Sequence, residues 1–168
     1  MKQLFSTFAI LLIAVLVNNA NAQQKSLTSV SNEFNYDAIA SATRAADVST
    51  KALKDFSRSY KNAVNEKWYT VSDGFLASFN DNGIETKVAY NKKGVWHSTV
   101  RTLDETQLPF AVRDVVKSTY YDSKILVAYE IKHVDGVVYI LKIEDTKTLR
   151  TLRIIDGGIE IIASNTRG

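Results

Sequence analysis

An α+β fold, built as a tandem repeat of one helix plus four antiparallel strands, is predicted by three features of the sequence. Two stretches, around Phe56 and around Val116, place apolar residues at helical spacing. Shorter stretches alternate apolar and polar residues, as strands with one covered face do. These stretches occur in the order helix, then four strands, and they do so twice. We therefore expect a sheet of about eight strands with both helices on one face.

The first helix is predicted to begin after Ser49, a residue type that caps helix N-termini well. Apolar side chains then recur every three or four residues and form one stripe, consisting of Leu53, Phe56, Tyr60 and Val64. Basic and acidic residues fill the other side of this helix. Asn65 is the predicted end.

Four strands are predicted to follow as an antiparallel meander. Two of the three connections carry the strong hairpin signals Asp73-Gly74 and Asn82-Gly83, and the third contains Lys93-Gly94. The predicted strands span residues 68–71, 75–79, 86–90 and 95–103.

The second half repeats this order. Pro109 opens the second helix at a position that tolerates proline, and the apolar stripe is Val112, Val115, Val116 and Tyr120. Strands are predicted at 125–133, 137–144, 149–155 and 159–163. The halves align as Tyr60 with Tyr120, Phe75 with Val137, Phe79 with Leu141, and Gly94 with Gly157.

The first 22 residues predict a secretory signal peptide. Lys2 supplies the positive start, an apolar stretch follows, and Ala20-Asn21-Ala22 has the small residues that precede cleavage. The apolar stretch is shorter than the roughly 20 residues that span a bilayer. We expect cleavage after Ala22, a mature protein starting at Gln23, and a periplasmic or secreted location without membrane insertion.

Three segments are predicted in all. Residues 1–22 are the signal peptide, and 23–47 are a flexible leader that could hold one short helix around 38–46. Residues 48–168 are the folded domain, with repeats 48–104 and 105–168.

Composition narrows the function classes. The chain has no cysteine, which excludes disulfides and cysteine-rich zinc sites. The net charge is +3, and charges of both signs alternate along the chain without a basic block. Nucleic-acid binding needs a concentrated positive surface, so no nucleic-acid partner is expected.

The core and turn residues resemble the PepSY-like, beta-lactamase-inhibitor-like proteins, small envelope proteins common in Bacteroidota. The matching positions are Val48, Ser49, Ala52, Phe56, Trp68, Gly74, Phe75, Ala77, Phe79, Gly83, Ala89, Tyr90, Gly94, Trp96, Leu108, Pro109, Val112, Tyr120, Gly136 and Tyr139. They span nearly the whole predicted domain.

This resemblance implies the tandem helix-plus-four-strand fold. Relatives by fold include an inhibitor that lays its sheet over a beta-lactamase, and PepSY domains accompany secreted metallopeptidases, but neither activity transfers to this chain residue by residue. The chain departs from the family at Ser49, where proline is usual, and at Ser98-Thr99, where an acidic residue is usual. The second half also lacks the Trp and Phe positions of the first.

No catalytic, metal or cofactor site is expected. His97 and His133 fall in predicted strands and have no metal-ligand spacing, so half-exposed strand residues are the simpler interpretation. No serine stands in a nucleophile-elbow motif. The acidic residues lie in strands rich in lysine, where solvated cross-strand pairs are the ordinary arrangement.

A non-enzymatic binding or inhibitory module is therefore the first hypothesis, with a structural envelope protein that has no dedicated client as the alternative. The expected contact surface is the open, helix-free face of the sheet, and the expected partner is an envelope protein, a peptidase or a peptide. Aromatic residues are over-represented among binding anchors. The candidate contact residues are Tyr69, Tyr90, Trp96 and His97, of which Tyr69 is the leading one because it lies out of phase with Trp68.

Overall fold

The computed structural model describes residues 41–43 and 47–166 of the chain. It contains two helices, α1 (Thr50–Ser59) and α2 (Phe110–Thr119), and a 3-10 turn at Glu105–Gln107. The strands are β1 (Ser41–Thr43), β2 (Ala63–Val71), β3 (Gly74–Asp81), β4 (Ile84–Asn91), β5 (Trp96–Leu103), β6 (Lys124–His133), β7 (Gly136–Glu144), β8 (Thr148–Ile155) and β9 (Gly158–Thr166).

The strands form one sheet in which sequence order and spatial order are the same, β1 to β9, and every neighbouring pair is antiparallel. The predicted α+β class and the eight predicted strands are confirmed. Strand β1 adds a short ninth strand beside β2. The two halves join where β5 pairs with β6.

Both helices lie on the same face of the sheet, as predicted. Helix α1 packs on Trp68, and α2 packs on Leu103. The register links these positions, because Val88 of the α1 core stands opposite Thr99, and Thr99 and Leu103 alternate onto one side of β5. The other face of the sheet carries no helix of the described chain.

Two hydrophobic clusters fill the space between helices and sheet. The cluster under α1 is mostly aromatic: Phe56, Trp68, Phe79 and Tyr90 are buried with Val48, Ala52, Ala77 and Val88. The cluster under α2 is aliphatic, with Leu103, Leu108, Val116, Ile125, Ala128, Leu141, Ile143, Leu152 and Ile154. Except for Val64, the predicted apolar stripes of both helices face these clusters.

Helix α1 ends one and a half turns earlier than the sequence predicts. Tyr60 is its C-cap and its N–H donates to the Phe56 carbonyl at 2.8 Å, after which β2 begins at Ala63. Val64 is therefore an exposed strand residue and not part of the helical stripe. Asn65, the predicted helix end, has a φ of 58° within a register shift of β2. Periodicity could not show this, because the stripe spacing continues by chance into the strand.

Two other local features differ from expectation. Residues 41–43 are the strand β1, so the predicted helix over 38–46 is wrong for this part, and the remainder of it lies outside the described residues. The 3-10 turn before α2 was not predicted. The Asp104 side chain accepts hydrogen bonds from the N–H groups of Thr106 and Gln107, and Gln107 bonds back to the Asp104 N–H, forming a capping box. The predicted signal peptide and most of the predicted leader also lie outside the described residues.

Candidate partner-binding face

The helix-free face is defined by the side chains that point away from α1 and α2. The register arranges them in rows across the strands. One row runs through Tyr69, Leu76, Ala89, Ser98 and His133, a second through Lys67, Ser78, Lys87, Val100, Ile131 and Val138, and a third through Thr102, Tyr129, Ile140, Arg153 and Glu160.

The centre of the helix-free face is apolar. Val100, Tyr129, Ile131 and Ile140 come from three adjacent strands and are between 0% and 9% exposed. Tyr129 is a large aromatic residue in this group, and burial raises the pKa of its hydroxyl, with Glu85 adding to the rise. A second apolar layer therefore lies on the side of the sheet that the helices do not cover.

Charged side chains surround this apolar centre. Lys87 Nζ lies 3.6 Å from Glu85 Oε1, and Arg153 forms a salt bridge with Glu160. Lys142 stands opposite Val127 and Thr151, and burial lowers the pKa of its amine. The helix-free face thus combines an apolar centre with a mixed, mainly basic border.

Tyr69 lies on the helix-free face, which confirms the positional part of the prediction. Its neighbour Trp68 is buried under α1, and Tyr69 stands opposite Leu76 of β3 and Ala42 of β1. The side chain is half-buried at the β2 end of the first row. A role for Tyr69 in binding stays a prediction.

Tyr90 does not belong to the helix-free face, so its assignment as a contact residue is wrong. Its side chain is 2% exposed in the aromatic cluster under α1, and its hydroxyl donates a hydrogen bond to Asp55 Oδ2 at 3.2 Å. Burial raises the pKa of the Tyr90 hydroxyl, and the nearby Asp55 carboxylate raises it further. Aromatic strand residues are ordinary core residues, and the alternation of β4 places this one inside.

Trp96 also lies on the helix-covered face, so the expectation that it belongs to the helix-free contact surface is wrong too. The ring packs against the aromatic cluster under α1, and its Nε1 donates to Thr99 Oγ1 at 3.0 Å. The same Thr99 oxygen lies 3.0 Å from the Tyr60 hydroxyl. Trp96 therefore belongs to a polar seam that separates the two hydrophobic clusters.

The polar seam continues along β5, β6 and β7. Arg101 Nη1 donates to Glu130 Oε1 at 3.2 Å, and the Tyr139 hydroxyl donates to Glu130 Oε2 at 2.9 Å. Burial, followed by this hydrogen bond, raises the pKa of Tyr139 to about 12. Glu130 thus pairs with both of its neighbours, whereas Arg101 Nε is buried without a hydrogen-bond partner in the described part of the chain. The seam accommodates these polar groups above the central strands, between the clusters that the two helices cover.

His97 is half-buried at the start of β5, where the strand carries one extra residue opposite β4. Its ring meets that of His133 with centroids 4.8 Å apart and an interplanar angle of 81°. Burial lowers the pKa of His97, and the neighbouring His133 lowers it further. The two histidines thus meet across the strands that join the halves, but in the described part of the chain they belong to no group of three or more potential metal ligands.

Of the four residues at the centre of the helix-free face, Tyr129 is one of the aromatic residues that the sequence offers as binding candidates, whereas Val100, Ile131 and Ile140 were not singled out. In β6 and β7 apolar residues occupy both sides of the strands. Ile125, Ala128 and Leu141 face the helices, and Tyr129, Ile131 and Ile140 lie on the other side. A continuous apolar run has no period of two and so does not reveal a second apolar face. The missing alternation was itself the signal that the sequence offered, because strands that are buried on both faces have nearly continuous apolar runs.

Comparison with solved structures identifies the fold. A BLIP-like protein from Bacteroides fragilis aligns with a TM-score of 0.57 and 20% identity, covering 71% of this chain and 86% of the other. A DUF2874 family protein from Bacteroides ovatus aligns with a TM-score of 0.56 and 17% identity, covering 71% and 87%. One from Bacteroides uniformis gives 0.55 and 16%, covering 70% and 88%.

The chain has the fold of these BLIP-like and DUF2874 proteins. This confirms, for the fold, the beta-lactamase-inhibitor-like part of the resemblance drawn from the sequence; the PepSY-like part stays a prediction. No family model and no curated protein sequence matches the chain. The agreement is therefore one of backbone architecture.

Neither helix of the described chain is long and apolar enough to cross a membrane, each having ten residues. A protein of the same fold from Bacteroides eggerthii, provisionally described as periplasmic, aligns with a TM-score of 0.56 and 13% identity over 71% of this chain and 88% of the other. The predicted cleavage after Ala22 lies outside the described residues.

Proposed function

We propose that the protein is an exported, non-enzymatic module that contacts a protein or peptide partner of the cell envelope through the helix-free face of its sheet. The observation that carries the proposal is the second apolar layer. Val100, Tyr129, Ile131 and Ile140 form it on the side that neither helix covers. An apolar, aromatic-bearing sheet surface bordered by charged groups has the composition of a contact surface.

We expect a partner to touch the edge of the apolar layer. The central four side chains are buried, so contact would involve the half-buried side chains beside them, such as Tyr69, Lys87 and Val138. Tyrosine serves well in this role because its rigid ring has little conformational entropy to lose. Lys87 and Lys142 would favour a partner that presents acidic groups beside apolar ones.

The fold supports the class of protein that we propose, and it does not bear on the partner. One of the aligned structures is described as a BLIP-like protein, in agreement with the beta-lactamase-inhibitor-like resemblance drawn from the sequence. Periplasmic location and the absence of catalysis are parts of the same proposal.

We also interpret the two halves as copies of one unit. Tyr60 and Tyr120 are helix C-caps with φ of −124° and −125°, and each N–H donates to a carbonyl four residues earlier at 2.8 Å. Register shifts occur in β2 and β6, and again between β4 and β5 and between β8 and β9. Corresponding irregularities at corresponding places are what duplication of one unit would leave.

The test uses the mature protein as bait for capture from envelope extract. Tyr69→Ala is compared with Tyr121→Ala, which removes an 83% exposed tyrosine from the turn after α2. We expect Tyr69→Ala to cost the captured partner more than about 1 kcal/mol of binding free energy and folding less than about 1 kcal/mol. Tyr121→Ala should leave capture unchanged.

Two results would contradict the proposal. Equal capture by both variants and the wild type would place the contact surface away from Tyr69. Failure of the wild type to retain any partner would favour the alternative, a structural envelope protein with no dedicated client.

A further inference from the structure

At one end of the β5–β6 junction, His97 contacts His133 and His133 contacts Asp135, while Asp73 acts electrostatically on His97. We call Asp73, His97, His133 and Asp135 the histidine cluster. His133 stands opposite Ser98 at this end of the β5–β6 ladder, and Leu103 opposite Ala128 marks the other end. The cluster therefore lies where the first half of the sheet joins the second.

Within the histidine cluster the two imidazole rings contact each other, and a carboxylate acts on each ring. The imidazole rings of His97 and His133 meet edge to face, with centroids 4.8 Å apart. His133 Nδ1 lies 3.1 Å from Asp135 Oδ2 in the β6–β7 turn. Asp73, in the β2–β3 turn, acts electrostatically on His97. Each ring thus has the other ring on one side and a carboxylate within range.

The ring contact tolerates one charge but not two. An imidazolium beside the face of a neutral aromatic ring is attracted to it. Two imidazolium rings at this distance repel each other, and the half-buried position of His97 removes part of the water that would screen them. The Asp135 carboxylate lies 3.1 Å from His133 Nδ1, whereas burial and the neighbouring His133 disfavour a charge on His97.

We propose that the histidine cluster is a pH-sensitive clasp between the two halves of the sheet, closed while at most one of its rings is charged. When both rings are charged, the cluster end of the β5–β6 ladder opens. The adjoining turn then moves, and it carries Val134, an apolar residue that is already 70% exposed. This inference concerns the isolated protein and needs no partner.

The direction of the pH dependence follows from the effect of the surroundings on His97. Burial lowers its pKa first and His133 lowers it further, while Asp73 opposes the change. When the pKa of a histidine is lower in the folded state than in the unfolded state, the fold has its full stability at pH values above the unfolded pKa of about 6.5. That stability is lost as the pH falls through the lowered pKa. The clasp is therefore closed at neutral pH and opens in acid.

Two measurements on the folded protein test the clasp. Ring titration by NMR should show His97 gaining its proton below the ordinary histidine range, and His133→Gln should raise the pKa of His97. Amide hydrogen exchange, corrected for its intrinsic pH dependence, should show a loss of protection in acid at residues 98–100 and 131–133. The opposite end of the ladder, at Leu103 and Ala128, is the internal control and should keep its protection.

Variants separate the clasp from general acid sensitivity. His97→Gln should abolish the local loss of protection. The proposal is overturned if His97 titrates at the same pH in the wild type and in His133→Gln. It is also overturned if acid reduces protection equally at both ends of the ladder, or equally in the wild type and in His97→Gln.

Discussion

The two halves of the sheet have the same order of elements but different cores. Under α1 the rings of Phe56 and Phe79 meet at 4.9 Å and those of Phe56 and Trp68 at 5.3 Å, both edge to face. Under α2 the corresponding volume is filled by branched aliphatic side chains such as Leu141 and Ile143. The architecture thus requires apolar side chains at fixed positions, and aromatic residues supply them in one half while aliphatic residues supply them in the other.

The aromatic core carries hydroxyl groups that need polar partners, whereas the buried members of the aliphatic cluster carry none. Tyr90 and Tyr60 each bring a hydroxyl into a partly buried setting, where Asp55 and Thr99 bond to them. A buried hydroxyl without a partner is costly. The aromatic core therefore depends on specific hydrogen bonds as well as on packing, and this difference between the halves can be tested.

The largest expected effect comes from emptying either core. Phe56→Ala should destabilise by about 3–5 kcal/mol and Leu141→Ala by about 2–5 kcal/mol, because both side chains are buried and leave cavities. Chemical denaturation of each variant measures the free energy of unfolding. A loss under about 1 kcal/mol at either position would show that its half does not depend on that core.

A matched pair of glycines should distinguish the β4–β5 turn of the first half from the β8–β9 turn of the second. Gly94 has a φ of 70°, and an added Cβ would lie 2.8 Å from the Ala52 nitrogen of α1 and would also meet Ser49. Gly157 has a φ of 77°, but a Cβ there has nothing within 4 Å. Gly94→Ala should therefore cost about 2–4 kcal/mol and Gly157→Ala about 1–2 kcal/mol.

Thermal or denaturant unfolding of the two glycine variants gives the comparison directly. Both carry the same backbone strain, so their difference reports the contact between α1 and the turn. Equal costs would mean that the β4–β5 turn does not support α1.

Removing one hydroxyl should have a smaller effect, confined to the aromatic half. Tyr90→Phe keeps the ring and removes the donor to Asp55, so we expect a loss of about 1 kcal/mol. Asp55→Ala, which removes the acceptor, is the second arm of a double-mutant cycle and is measured alone and together with Tyr90→Phe. If the two changes are simply additive, the hydrogen bond contributes nothing to the aromatic core.

The smallest effect is spectroscopic and concerns the polar seam between the halves. The pKa of Tyr139 is about 12, raised by burial and by its hydrogen bond to Glu130. Because the unfolded value is about 10, the neutral phenol favours the folded state. Stability should therefore be intact below about pH 10 and fall as the pH rises through about 12. Ultraviolet titration should show this step disappear in Tyr139→Phe and move to lower pH in Glu130→Gln.

Local sequence rules predicted the strands and turns well, because their signals act over short distances. Asp73-Gly74 and Asn82-Gly83 lie at the predicted β2–β3 and β3–β4 connections, and the alternation of Phe75, Ala77 and Phe79 identified the covered side of β3. The helix end at Ser59 was missed, because the apolar spacing continues through Val64 although the chain has already entered β2. Spacing alone does not record the backbone change at Tyr60.

The candidate site was predicted less well. Alternation placed Tyr69 correctly opposite to Trp68. It could not place Tyr90 and Trp96, because an aromatic strand residue is equally suited to a core and to a contact surface. Deciding between them requires knowing which side of each strand the helices cover, and that depends on how strands distant in sequence align.

The sequence by itself determined the fold class, the order of elements, most turns and the side of β2 that Tyr69 faces, since each depends on neighbouring residues. Only the tertiary structure decided that Tyr90 and Trp96 belong to the interior and that His97 meets His133. It also brought together Val100, Tyr129, Ile131 and Ile140. The physical reason is register: a shift of one residue turns every side chain of a strand to the opposite face, and pairing between β5, β6 and β7 sets that shift.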